Sequence, residues 1–227
     1  MVPPSLFVGM SGGRTAFRVL VVCCLFGIAF PVSGMPAAPA AGLRIAYGAP
    51  HAALWKRIYD RIPAPWKTDR PLLVREISDD EMEALVERSG GYSNPEDAAT
   101  VVDGCYLDGG DTEEEPACIT LRETLNGANA GLVFAHEYGH YVWDDLLTES
   151  QRARYARLWR VQKRARHLVT GYAGYAEEEG FAEAFSYFVL RPELLRHRDS
   201  ASWQFLQSAQ AARQKNTSRP PDAEREP

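Results

Sequence analysis

His136, Glu137 and His140 stand within the run Ala135-His136-Glu137-Tyr138-Gly139-His140-Tyr141. On a helix, residues four apart share a face, so the two imidazoles can offer ring nitrogens to one metal ion. Glu137 falls about 100° round the helix from His136, close enough to reach a water on that ion without being a ligand itself. Such a trio suits metal-assisted hydrolysis with Glu137 as general base. The chain has only five histidines, and two of them share this motif. Leu132, Val133 and Phe134 precede it and Val142, Leu146 and Leu147 follow it, so the helix should be buried, where a histidine needs a partner. Gly139, in the helix interior, costs about 1 kcal/mol relative to alanine and predicts close approach by another segment.

An open catalytic zinc site takes three protein ligands. His167, beside Arg166, and His197, between Arg196 and Arg198, read as solvated surface residues. A better source is the run Ala176-Glu177-Glu178-Glu179-Gly180-Phe181-Ala182-Glu183-Ala184-Phe185, where Glu179 and Glu183 are four apart and flanked by Phe181, Phe185 and Phe188. Carboxylates beside an apolar face call for a positive partner. A zinc ion would serve for Glu179, and Glu183 could orient a ligand histidine from behind. Glu177 and Glu178 read as an exposed acidic face.

With both motifs in hand, the segment from Leu121 to Leu190 resembles the catalytic domain of anthrax lethal factor and its secreted relatives, which include the proline-specific clostridial endopeptidases. The resemblance implies one zinc per chain, with Glu179 as third ligand beside His136 and His140, and Glu183 supporting the site from behind. It also implies a tyrosine seven residues before the ligand glutamate, poised over the metal; that position is Tyr172, with Tyr175 the nearby competitor. The implied activity is metalloendopeptidase, and the implied fold an α+β zincin whose small sheet aligns an extended peptide along its edge. The strand ending near Arg122 is the candidate edge. Two other readings of the same residues are a catalytically inactive zinc-binding module that recognises peptides and a zinc amidase acting on cell-wall peptides.

The elements that must position these residues follow from pattern. Leu43 to Tyr47 and Leu72 to Ile77 suit strands, and His51 to Ile62 a helix ended by Pro63 and Pro65. Ser78 with Glu81 forms a capping box for a helix through Val86. Ala99 to Leu107 and Ala117 to Arg122 suit an antiparallel pair around an acidic turn. Helices are expected over Ala128 to Leu147, Ser150 to Leu168, Ala176 to Leu190 and Ser200 to Gln214. Strands first and helices second is the α+β pattern: a small N-terminal sheet with the motif helix, then a helical half. One domain, residues 43–214, is expected.

Ahead of it, Arg14 and Arg18, the apolar run Val19 to Phe30 and the small residues around Ser33 and Gly34 have the layout of a secretory signal peptide over residues 1–34. A Pro/Ala/Gly linker fills 35–42, and the polar residues 215–227 suit a disordered tail. The apolar run is shorter than the roughly 20 residues a membrane helix needs, so an exported protein, periplasmic or extracellular, without stable membrane insertion is expected. In an oxidising compartment Cys105 and Cys118 are expected to pair as a disulfide. A net charge of −5 argues against nucleic acid as a partner. The expected partner is a peptide or protein substrate, taken by a monomer.

Overall fold

The computed structural model describes residues 42–68, 70–88, 102–109, 116–125 and 127–217. The expected signal peptide, nearly all of the linker and most of the expected tail lie outside them. Four strands form one sheet: β1 (Gly42–Ile45), β2 (Pro71–Ile77), β3 (Gly104–Leu107) and β4 (Ala117–Arg122). Seven α-helices accompany them: α1 (Ala52–Arg61), α2 (Asp79–Arg88), α3 (Gly127–Tyr141), α4 (Glu149–Ala165), α5 (Glu177–Leu190), α6 (Pro192–Arg198) and α7 (Ser200–Thr217). The architecture is therefore mixed α and β, with the helices after β4 grouped in the C-terminal half. α1 closes the gap between the parallel neighbours β1 and β2.

The sheet runs β1-β2-β4-β3, parallel except for β3, which is antiparallel to β4. The expected pairing of β3 with β4 is present, but the expected edge is not. β4, the strand ending at Arg122, lies inside the sheet between β2 and β3, and β3 is the edge strand. The reason is visible in β4 itself: Cys118, Ile119, Thr120, Leu121 and Arg122 are all buried, the mark of a strand covered on both faces. Register puts Leu72 and Val74 of β2, Ile119 and Leu121 of β4 and Tyr106 of β3 in the core with Phe134 of α3.

Local chemistry sets the helix ends. The Ser78 box forms as patterned, with Ser78 N–H donating to Glu81 Oε2 at 2.9 Å and Glu81 N–H to Ser78 Oγ at 3.3 Å. α4 starts on a second box, Thr148 with Gln151, and ends on Arg166 in the left-handed conformation, φ 57°. The single helix expected from Ala128 to Leu147 instead ends as an α-helix at Tyr141 and widens into a π turn, Val142–Leu146. Arg152 donates to the carbonyls of Trp143, Asp144 and Leu147 there, which satisfies groups an α-helix would have paired internally. At the C-terminus α7 runs past Gln214 to Thr217, further than the sequence pattern indicated.

α3 is the central element, packed by α5 along one side and by the sheet and α1 on others. Its Tyr138 stacks on Phe185 of α5, with centroids 6.1 Å apart, and Trp66 meets the same ring edge-on. Phe205 of α7 and Tyr155 of α4 close the cluster from the far side of Phe181. Interlocked aromatic rings bury much area in few torsions, so α3 and α5 are held at a fixed crossing. Among the described residues no helix is long and apolar enough to cross a membrane.

Candidate metal centre

The crossing of α3 and α5 depends on Gly139. A Cβ placed there would stand 2.7 Å from the Cα of Ala182, so the helices meet where one of them has no side chain. This is the close approach that an interior glycine predicts. On either side of the contact α3 presents His136 and His140, and α5 presents Glu179 and Glu183.

His136, His140 and Glu179 are 8%, 7% and 5% exposed, and together they form a group able to hold one ion. His136 Nε2 lies 3.1 Å from Glu179 Oε2 and 3.2 Å from His140 Nε2, and His140 Nε2 lies 3.6 Å from Glu179 Oε2. Nitrogen and oxygen ligands on a tetrahedral ion, about 2.0–2.1 Å from it, stand roughly 3.3–3.4 Å apart. The three atoms therefore already have the spacing of three corners of a coordination tetrahedron. Two neutral imidazoles and one carboxylate are a donor set that suits zinc.

The electrostatics also call for a cation. Burial alone would depress the His136 pKa, but hydrogen bonds to Glu179 and Glu183 override it and push the imidazole up to about 10. Burial acts to raise Glu179, yet the two histidines hold its carboxyl well below the usual carboxylate range. Without an ion, a proton on His136 supplies the positive charge that the carboxylates need.

Behind the ligands, Glu183 Oε1 lies 3.1 Å from His136 Nδ1, which leaves Nε2 directed at the shared point. The other oxygen of Glu183 accepts the hydroxyl of Thr170 at 2.6 Å, and Thr170 Oγ1 in turn accepts the N–H of Ala173 at 3.1 Å. Thr170 was not a sequence candidate. A threonine in a loop carries no periodic or spacing signal, and only the fold reveals its place beneath Glu183.

Glu137 is 7% exposed. Burial raises its pKa first of all, against the pull of His136 and His140. β3 packs directly against its side chain. The edge strand comes this close because of Gly104, whose Cβ would stand 3.0 Å from Glu137 Cγ. Glycine in a short strand is the sequence sign of such an approach, and Gly104 is a functional position that the motif spacing does not mark.

Tyr172 sits in a short 3-10 turn, Tyr172–Gly174, ahead of α5. The residue is 44% exposed and its ring lies 5.6 Å from that of His136; desolvation of the hydroxyl, followed by the charges of Glu179 and Glu137, pushes its pKa up. Tyr175 is 62% exposed and touches the site only through the Tyr172 ring, at 5.3 Å. Glu177 and Glu178 are half-buried rather than exposed, with Glu177 3.4 Å from Arg160. His167 and His197 are exposed, as their basic surroundings imply.

Cys105 and Cys118 are free thiols, so the expected disulfide is not formed in this structure. Register explains it: Cys105 faces Thr120 and Cys118 faces Leu107, which makes the cysteines diagonal neighbours rather than a facing pair. Cys118 Sγ instead lies 3.6 Å from Thr120 Oγ1. Burial pushes the Cys105 thiol up to about 12 and raises Cys118 as well.

No protein-family model matches the chain, and no curated protein sequence matches it.

Proposed function

We propose that the chain is an exported zinc-dependent metalloendopeptidase of the lethal factor-like zincin type, acting as a monomer on peptide or protein substrates. The observation that carries this reading is the convergence of one nitrogen each from His136 and His140 and one oxygen from Glu179 at coordination spacing, with the base candidate Glu137 beside them. A structural zinc site fills its fourth position with another Cys or His, and among the described residues none joins this group. The retained glutamate next to His136 favours catalysis over a passive binding module.

A zinc ion held by these three residues supplies Lewis-acid polarisation of the scissile carbonyl and a water acidified toward neutrality. Glu137 takes the proton of the attacking water and passes it to the leaving amine. The Tyr172 ring beside His136 places its hydroxyl to donate to the developing oxyanion. β3 offers its outer edge beside Glu137, where an extended peptide can add as a further strand through backbone hydrogen bonds.

Elemental analysis of the purified protein, paired with cleavage of a diverse peptide library by the wild type and by Glu137→Ala, tests the proposal. One zinc per chain with cleavage lost in the variant is the expected result. One zinc with no cleavage by either protein favours the binding module. Absence of zinc overturns the reading.

A further inference from the structure

Beyond the metal centre, a cavity of about 570 Å³ opens between the end of α4, the loop leading to Tyr172 and the end of α6. Lys163, Arg166, His167, His197 and Arg198 line it, and no carboxylate does. In a chain whose net charge is −5, this is a local reversal of sign.

Basic residues at helix C-termini commonly complement the helix dipole, and that explanation is weaker here. The end carbonyls are already capped by backbone groups. Arg166 N–H donates to Lys163 O at 3.2 Å, His167 N–H to Gln162 O at 3.0 Å and Asp199 N–H to Leu195 O at 2.8 Å. Asp199, the acidic neighbour of Arg198, is 1% exposed, and its Oδ1 accepts from Gln162 Nε2 and from Ser202 N–H, each at 3.0 Å. Among the described residues the exposed side chains of Arg166, His167, His197 and Arg198 enter no ion pair. Arg166 also occupies a left-handed position, φ 57°, where glycine is the usual residue.

Along α4 the exposed Arg157 and Arg164 add further cations, while its other arginines are engaged. Arg152 is spent on backbone carbonyls, Arg154 lies over the Phe205 ring at 5.5 Å, and Arg160 pairs with Glu177. A concave site lined by several cations suits a multivalent anion, and guanidinium forks match phosphate oxygens. The volume lies within the roughly 300–1,000 Å³ of small-molecule sites and exceeds what a bare phosphate fills.

We propose that this cavity binds a phosphate-bearing organic molecule, whose phosphate is held by Arg166 and Arg198. Thr170, which lines the same cavity, donates to Glu183 behind His136, so an occupant presses on the loop that supports the metal centre. The site stands independently of the peptidase reading.

Calorimetric titration of the full chain with glycerol 3-phosphate and with inorganic phosphate, and co-sedimentation with phosphatidylcholine vesicles containing phosphatidylglycerol, test it. Arg166→Gly, which suits the left-handed backbone, and Arg198→Gln are the variants. Saturable one-to-one binding of glycerol 3-phosphate, weakened at least tenfold by either substitution, is the expected result. Binding confined to the phosphatidylglycerol vesicles with the same dependence on both arginines keeps the phosphate site and names a lipid headgroup as its source. The proposal fails if no phosphate probe binds saturably. It fails equally if binding survives both substitutions but disappears on chelation, because the anion then sits at the metal centre.

Discussion

Gly139 and Ala182 are in backbone contact: a Cβ on Gly139 would stand 2.7 Å from the Cα of Ala182 and 3.1 Å from its carbonyl oxygen. This contact sets how close α3 and α5 run, and so the separation of the histidines on one helix from the carboxylates on the other.

Gly139→Ala should therefore push the helices apart even though alanine is the better helix former. Overpacking costs about 1–3 kcal/mol, against about 1 kcal/mol of gained helix propensity. The expected outcome is a net loss of stability in urea unfolding together with weaker zinc binding in competition with a chromophoric chelator. Unchanged zinc affinity would show that the ligand spacing does not depend on this contact.

Glu183 orients His136 without touching the shared ion position. Glu183→Ala should weaken metal binding by about 10- to 100-fold, the usual scale for such supporting partners. Glu183→Gln, which can still accept from Nδ1–H, should lose less. Thr170→Val removes the bond beneath Glu183 and the one from Ala173 N–H, leaves Glu183 in place, and should have the smallest effect of the three. Competition titrations on the three variants give the order, and a reversed order would argue against orientation as the role of Glu183.

Tyr172 and Tyr175 differ by position rather than by type. The Tyr172 ring lies 5.6 Å from that of His136, whereas Tyr175 stands behind it, against the Tyr172 ring at 5.3 Å. Tyr172→Phe should keep zinc and lower kcat by about 10²–10³, as expected for loss of one oxyanion donor. Tyr175→Phe should leave kcat unchanged. Steady-state kinetics on the best library peptide distinguish them.

The thiols give a pH-dependent test. With the Cys105 pKa raised to about 12 by burial, its thiolate fraction at neutral pH is very small. Alkylation of the native protein should be slow and should quicken as pH rises toward 12, because only the thiolate reacts. Unfolding in denaturant should release two reactive thiols from Cys105 and Cys118. Recovery of none without a reductant would show that the protein carries the disulfide in solution.

Much of the candidate centre is legible in order along the chain. Spacing of four on a helix places His136 with His140 and Glu179 with Glu183, and the apolar residues around each pair predict that both helices are buried. Gly139 foretells the crossing because an interior glycine is costly without a neighbour that needs the space. Helix periodicity and capping chemistry are local, so a linear string of residues contains them.

What lies across the fold was not legible. Which strand forms the sheet edge depends on where β2 docks, and the hairpin pattern of β3 and β4 is the same whether β4 is covered or free. The diagonal register that keeps Cys105 from facing Cys118 is a two-residue offset invisible in composition. Thr170 under Glu183, Gly104 against Glu137 and the basic cavity between α4 and α6 join residues from separate elements. Sequence alone determined which side chains each helix presents, because that is set by a repeat of 3.6 residues. Tertiary structure decided which of them meet, because meeting depends on the packing of one element against another.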